Sequence, residues 1–152
     1  MNRLRQMCNL SWEEWQVGLA ASYSLPLTAF ALRFRGLVWT IKWMTGSGMN
    51  EPGLPGTAAP EQAKSIARLV DAAAEHGVYR ATCLKRSLVL CRFLRLKGIQ
   101  FELKLGASRG EEGISAHAWV EHQGVAINDR KDIGEHFKVF SPASASKKAD
   151  AS

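Results

Sequence analysis

The fold is decided by residues 81–108, ATCLKRSLVLCRFLRLKGIQFELKLGAS. In the first half of this stretch, apolar residues recur every three or four positions, which predicts a helix over residues 82–97. Gly98 follows at the usual place for a helix end. Over residues 99–105 apolar and polar residues alternate, which is typical of a half-buried strand. The centre of the chain is therefore predicted to be a helix that leads into a strand.

A second helix is predicted upstream of this stretch. Pro60 suits the first position of a helix, an apolar stripe follows at helical spacing, and Gly77 stands where such a helix would end. The Gly- and Pro-rich stretch before it, TGSGMNEPGLPGTAA at residues 45–59, has too many helix breakers for a regular element and predicts a linker.

Further strands are predicted downstream. Residues 115–122 and 125–128 have strand patterns, and the Gln-Gly pair between them indicates a hairpin. Residues 108–113 are predicted to be a polar loop, and residues 137–140 a short last strand. Helices followed by an antiparallel sheet predict an α+β fold, with the helices packed on a small antiparallel sheet.

The N-terminal region is predicted to contain two helices, broken near Pro26, with Ser11 and Glu14 forming a capping box at the start of the first. The uncharged run at residues 17–32 is short for a membrane span, so a buried helical pair is the favoured interpretation. The alternative is contact with a membrane surface through a basic aromatic edge. That edge consists of Arg33, Arg35, Trp39, Lys42 and Trp43.

Chain length suits one domain with an appendage. We predict a helical N-terminal extension (1–44), a linker (45–59), a compact domain (60–140) and a disordered tail (141–152). No secretory signal is evident at the N-terminus, because acidic residues precede the apolar stretch.

The charge and the cysteine content limit the classes of function that this protein can have. The net charge is +6, and residues 80–97 hold six basic residues and no acid. The favoured interpretation is a solvated helix face; nucleic-acid binding is disfavoured because no aromatic stacking pattern accompanies the charge. The 3 cysteines cannot all pair, and their spacing matches no zinc module. We therefore expect no metal, no cofactor and a cytoplasmic location.

Cys83 is the cysteine whose position in the sequence favours reactivity. It begins the predicted helix 82–97, with Thr82 as the N-cap residue. The free N–H groups and the dipole of a helix N-terminus stabilise an anion, and a thiolate is the nucleophilic form of cysteine. The alternative is a small core residue, which is our interpretation of Cys91, in the middle of the helix. Cys8 is interpreted as incidental.

His117 and Asp129 are the candidate partners of that thiol. In a strand His117 shares a face with Trp119, which either lines a substrate cleft or covers the sheet. A hairpin loop of three residues would place Asp129 opposite His117, whereas a two-residue loop would place it opposite Ala118, on the other face. A Cys–His–Asp triad therefore requires the odd loop or a bulge. The other histidines, His76, His122 and His136, are interpreted as helix-end or surface residues.

If the geometry holds, each group has a definite role. Cys83 attacks a carbonyl carbon, His117 takes the thiol proton and later gives one to the leaving group, and Asp129 orients and stabilises the imidazole. The backbone N–H of Cys83 would hold the oxyanion together with a second donor.

Three motifs together resemble a known family. Residues 81–108, AHAWVE at 116–121 and AIND at 126–129 are similar to the transglutaminase-like branch of the papain-like cysteine enzymes, and within it to the leader peptidases of lasso-peptide biosynthesis. The positions that match the family's motifs are Thr82, Cys83, Leu84, Ser87, Leu88, Arg95, Gly98, Ile99, His117, Ala118, Trp119, Val120, Glu121, Asn128 and Asp129.

The resemblance implies that Cys83, His117 and Asp129 form a triad, and that the substrate is a precursor peptide cut between leader and core. It implies two partners, a leader-recognition protein and an ATP-dependent lasso cyclase. Some family members carry a fused leader-binding domain of winged-helix type, whereas residues 1–59 are predicted to be helical, which implies a stand-alone protease. Two alternatives stay open: acyl transfer to an amine by the same triad, as in true transglutaminases, and a non-catalytic peptide-binding scaffold.

Overall fold

The computed structural model describes residues 12–46, 60–76, 81–110, 113–130 and 132–140, and within them five helices and four strands. The elements are α1 (Trp12–Arg35), α2 (Leu37–Thr45), α3 (Pro60–His76), α4 (Cys83–Leu96), β1 (Glu102–Gly110), β2 (Gly113–His122), β3 (Val125–Ala126), α5 (Ile133–His136) and β4 (Lys138–Phe140). The predicted α+β fold is confirmed. The predicted starts of the two central helices, at Pro60 and directly after Thr82, are also confirmed.

The sheet is antiparallel, with strand order β3-β2-β1-β4. β1 and β2 form a long hairpin that pairs from Glu102↔Glu121 to Gly110↔Gly113. The prediction of a polar loop at 108–113 was therefore wrong, because β1 continues to Gly110 and β2 begins at Gly113. The strands can contain polar residues here because this end of the hairpin is exposed, as is Ile114. The predicted last strand is confirmed as β4, which pairs with the outer edge of β1.

One hydrophobic core joins the helices to the sheet. Its members include Leu25 of α1, Val70 of α3, Leu88 of α4 and Val120 of β2, all nearly or fully buried. A fully buried CH₂ group contributes about 0.8 kcal/mol, so this shared core holds α4 firmly against β2. The first residue of α4 and the middle of β2 are thereby brought to one region of the molecule.

The predicted helix break near Pro26 was wrong. α1 continues through Pro26, and the break comes at Gly36, whose φ of 78° lies in the left-handed region that favours glycine. A proline inside a helix removes one backbone hydrogen bond, but here Leu25, before the proline, and Thr28, after it, are both buried. The predicted capping box at Ser11, the linker and the tail lie outside the described residues, except that Thr45 ends α2.

The basic run on α4 is only partly a solvated face. Arg86 reaches the carboxylates of Asp71 and Glu75 on α3, each at 4.0 Å. The guanidinium of Arg92 lies 5.2 Å from the centre of the Trp43 ring on α2, a cation–π arrangement. Two of the basic side chains therefore connect α4 to its neighbouring helices.

Candidate active site

Cys83 is the first residue of α4 and is partly buried. Thr82 occupies the N-cap position in an extended conformation, as predicted, but its hydroxyl makes no capping hydrogen bond. The Thr82 side chain therefore accepts no hydrogen bond from the backbone N–H groups of the first turn. These N–H groups are the donors with which a helix N-terminus binds an anion.

His117 and Asp129 are in direct contact. His117 Nε2 lies 2.5 Å from Asp129 Oδ2, and the two side chains are 24% and 23% exposed. The second carboxylate oxygen, Oδ1, accepts a hydrogen bond from the backbone N–H of Arg130 at 2.8 Å. A carboxylate held at both oxygens fixes the orientation of the imidazole and favours the tautomer with its proton on Nε2.

The hairpin brings His117 and Asp129 together although its regular register would not place them opposite each other. The turn has two residues, Gln123 and Gly124, both with positive φ, and β3 ends directly after Ala126. In a continued ladder Asp129 would lie opposite Ala118. Instead, the chain bends at residues 127–129, and the bend carries Asp129 to His117. The prediction that Asp129 reaches His117 only through an odd loop or a bulge was therefore wrong, because a bend after an even loop brings the two side chains together.

Asn128 creates that bend. The Ile127 N–H still donates to the Val120 carbonyl at 3.0 Å, as in a ladder. The Val120 N–H, however, donates to Asn128 Oδ1 at 2.8 Å, so a side-chain amide replaces the backbone acceptor. Because the side chain satisfies this buried donor, the backbone is released from the sheet one residue before Asp129.

Ser87 ties the same bend to α4. Its buried hydroxyl donates to the Ala118 carbonyl at 3.0 Å and accepts from Asn128 Nδ2 at 3.0 Å. Ser87 lies one helical turn after Cys83, and Ala118 is the neighbour of His117 on β2. This buried network therefore connects the three segments that carry Cys83, His117 and Asp129. We missed the roles of Ser87 and Asn128 in the sequence; a serine among the apolar residues of α4 was the available signal.

One pair of the three predicted residues, His117 and Asp129, is joined by a hydrogen bond. Within the described parts of the chain, the Cys83 sulfur makes no hydrogen bond to the His117 ring. Asp129 engages Nε2 of that ring, which leaves Nδ1 as the nitrogen able to exchange a proton with a thiol.

Comparison with known protein families matches residues 27–141 to the family described as transglutaminase-like superfamily. The chain belongs to the transglutaminase-like superfamily. This superfamily includes cysteine peptidases and acyltransferases, and its members are generally cysteine-dependent enzymes. Searches of curated proteins and of solved structures found no match. The match begins inside α1, so it takes in the last 9 of that helix's 24 residues and all of α2.

Trp119 of this transglutaminase-like domain lies behind His117. Its side chain is fully buried, its ring is stacked 6.2 Å from that of His117, and its Nε1–H donates to Glu121 Oε1 at 2.8 Å. This burial favours the packing interpretation of Trp119 over the predicted substrate-binding role. Glu121, which had no predicted role, holds the indole in place.

Gly106 makes room for this packing. It pairs with His117 in the β1–β2 ladder. A Cβ atom at this position would lie 2.7 Å from Phe137 Cβ and 3.0 Å from the Trp119 ring. The Phe137 ring itself lies 5.2 Å from the His117 ring, so the absence of a side chain at Gly106 lets two aromatic residues support the imidazole.

Asp71 extends the acidic surroundings of the site. Burial raises the pKa of its carboxyl to about 6, and the nearby charges of Glu75 and Asp129 act in the same direction. The Arg86 guanidinium lowers this pKa, but at 4.0 Å it does not overcome the effect of burial. Asp71 is thus electrostatically coupled to Asp129.

The remaining thiols and histidines divide between core and surface. Cys91 is fully buried, and burial raises the pKa of its thiol, so its interpretation as a core residue is confirmed. His136 is a surface residue, as predicted, and contacts Asp132 at 3.2 Å. The surface prediction for His122 was wrong: it is buried, and its Nδ1 lies 2.6 Å from the Gln100 carbonyl oxygen. The side chain of His76, and the whole of Cys8, lie outside the described residues.

Proposed function

We propose that this protein is a cysteine peptidase that removes the leader from a ribosomally synthesised lasso precursor peptide. Cys83 would act as nucleophile, His117 as general base and acid, and Asp129 as the group that orients the imidazole. The observation that carries the proposal is the 2.5 Å contact between His117 and Asp129, which the hairpin reaches only through the bend at Asn128.

In the proposed reaction His117 Nδ1 takes the proton of the Cys83 thiol, and the thiolate sulfur attacks the carbonyl carbon at the cleavage site. The negative oxygen that forms is held by the backbone N–H of Cys83 at the start of α4 and by a second donor. The intermediate then expels the amine of the core peptide, which takes its proton from His117, and leaves a thioester on Cys83.

Water completes the proposed cycle. His117 removes a proton from water, and the hydroxide oxygen adds to the thioester carbonyl. The C–S bond then breaks, so that the leader leaves as a carboxylic acid and the Cys83 thiolate takes back the proton held by His117. Asp129 stabilises the imidazolium in each half of the reaction. Catalytic hydrogen bonds are often long before substrate binds, so the thiol is expected to reach Nδ1 in the complex with substrate.

The proposed partners follow from the same resemblance. A separate leader-recognition protein would present the precursor, and an ATP-dependent lasso cyclase would use the released core, in the cytoplasm. The described residues 12–46 are helical and lack the strands that a winged-helix leader-binding domain needs, so this segment is not such a domain. The division into extension and protease domain stays a prediction.

Acyl transfer to an amine is the second candidate, and it is favoured by the acyltransferases in the superfamily. Both reactions pass through the same thioester and differ only in the acceptor. A non-catalytic scaffold is disfavoured, because such a protein has no need for the aligned His117–Asp129 pair.

Mass spectrometry can separate these functions. The full chain is incubated with a lasso precursor peptide and a primary amine, with and without the recognition protein. We expect free leader acid and core peptide, and no product with Cys83→Ala. Cys91→Ala is the matched control and should retain cleavage. An amine adduct would support acyl transfer, and cleavage by the Cys83→Ala variant would remove the catalytic assignment.

A further inference from the structure

α1 carries an exposed row of large apolar side chains. The row consists of Leu19, Tyr23, Leu27, Phe30 and Phe34, which are between 54% and 78% exposed. Successive members are three or four residues apart, so they lie along one face of the helix. We call this face the α1 ridge.

The opposite face of the same helix is also apolar and is already in use. Ala21, Leu25 and Thr28 are buried and pack on the helices of the core. An ordinary surface helix has a polar outer face, whereas α1 is apolar on both sides. With aromatic and leucine side chains of roughly 200 Å² each, the α1 ridge exposes about 600 Å², which is at the upper limit for a patch without a binding role.

The charged residues of the segment that carries the ridge, from Gln16 onward, are all of one sign. From Gln16 to Asn50 the sequence contains no acid, and its charged residues are Arg33, Arg35 and Lys42. Arg33 precedes Phe34 at the C-terminal end of the ridge. An acid-free basic border around an apolar surface fits a partner that is both apolar and negatively charged.

Two partly exposed tryptophans follow on α2. The rings of Trp39 and Trp43 are stacked 5.7 Å apart and are 42% and 36% exposed. The guanidinium of Arg35 lies 4.9 Å from the centre of the Trp39 ring. Half-exposed tryptophans beside arginine are typical of side chains that sit at the boundary between lipid headgroups and acyl chains.

We propose that the α1 ridge docks this protein on an anionic membrane surface, with α1 lying in the plane of the interface. In the described residues no helix is long and apolar enough to cross a membrane. Side chains that are more than half exposed stand out from the surface and do not form a groove for a partner helix. A second copy of the chain would bring the same cations together at this face, and the segment from Gln16 to Asn50 offers no acid to pair with them.

Vesicle flotation tests the proposal on the full chain. Vesicles of phosphatidylcholine mixed with phosphatidylglycerol are compared with vesicles of phosphatidylcholine alone. The protein should float with the mixed vesicles, and high salt should weaken its binding. A Phe30→Ser, Phe34→Ser double variant should bind at least about tenfold more weakly because it loses the apolar contact. An Arg33→Gln, Lys42→Gln double variant should also lose about tenfold on the mixed vesicles.

Ile114→Ser is the matched control, since Ile114 is 80% exposed but lies on β2; it should bind like the wild type. Thermal unfolding establishes that each variant is folded. The proposal is overturned if folded wild-type protein fails to float with the mixed vesicles, or if the Phe30→Ser, Phe34→Ser variant floats equally well. It is also overturned if light scattering shows a dimer that this variant abolishes while no vesicle binds.

Discussion

Replacing Asn128 with alanine tests how the hairpin builds the candidate site. The substitution removes two hydrogen bonds, one from the Val120 N–H to Oδ1 at 2.8 Å and one from Nδ2 to the Ser87 hydroxyl at 3.0 Å. Val120 is fully buried, so its N–H is left without an acceptor in the apolar core. Alanine cannot replace the ladder acceptor, and the bend that carries Asp129 to His117 loses its support.

The expected loss of stability follows from these contacts. The lost hydrogen bond to Ser87 contributes about 0.5–1.5 kcal/mol, and the buried Val120 N–H left unsatisfied costs about 1–3 kcal/mol. We therefore expect Asn128→Ala to lower the free energy of unfolding by about 2–4 kcal/mol. Peptide cleavage should fall by roughly 10²–10³, because a misplaced carboxylate no longer orients the imidazole.

Two assays measure these effects. Urea unfolding gives the change in stability, and the downfield ¹H NMR signal of the His117 Nε2–H reports the bond to Asp129. Ser87→Ala is the control: it removes the contacts of the Ser87 hydroxyl with Asn128 Nδ2 and with the Ala118 carbonyl, and leaves the Val120–Asn128 bond in place. It should destabilise the protein by about 1–3 kcal/mol and keep the NMR signal. Our account of the bend is refuted if Asn128→Ala keeps both wild-type stability and the signal.

Three further substitutions probe the surroundings of the site. Asp71→Asn should stabilise the protein at pH 7.5 by about 1–2 kcal/mol, because the pKa of the Asp71 carboxyl is raised to about 6 in the folded protein. The free energy of unfolding of the wild type therefore falls as pH rises above about 4. Urea unfolding at pH 4.5 and 7.5 should show that the variant lacks this fall. Gly106→Ala should lower stability by about 1–3 kcal/mol through overpacking, whereas Gly134→Ala, where a Cβ meets nothing within 4 Å, should not; equal Tm values would contradict this. Asp129→Asn should reduce peptide cleavage by roughly 10²–10⁴, while Asp132→Asn, at an exposed His–Asp pair, leaves it unchanged; equal rates would exclude a catalytic pair.

The central elements could be predicted from sequence because local patterns determine them. The start of α4 follows from the cap position at Thr82, and β1 follows from the alternation that begins at Ile99. Both signals act over a few residues and need no knowledge of distant parts of the chain. The same holds for Cys91, whose place in the middle of an apolar helix predicts burial.

The predictions that failed concern features that depend on contacts between distant segments of the chain. Whether Asp129 reaches His117 depends on Asn128, which bonds Ser87 on α4, 41 positions away in the sequence. The burial of His122 likewise depends on the Gln100 carbonyl beyond the neighbouring strand. No periodicity in the sequence encodes such pairings, so the residues could be suggested as partners but their geometry could not be derived.

The outer face of α1 shows a different limit of prediction from sequence. An apolar run predicts burial, and residues 17–32 were interpreted as part of a buried pair, yet Tyr23 is 78% and Phe30 60% exposed. Composition reports how much apolar surface a helix has. It does not report whether the chain itself or a separate partner covers that surface.

Alkylation of Cys83 tests the central claim most directly, and it needs no knowledge of the substrate. In a Cys8→Ser background, iodoacetamide modification at pH 7 is followed by peptide mass spectrometry in the wild type, His117→Ala and His136→Ala. We predict fast modification of Cys83, none of the buried Cys91, and at least about tenfold slower modification of Cys83 in His117→Ala, with His136→Ala unchanged. Equal Cys83 rates in all three proteins would contradict the claim that His117 and Cys83 act together.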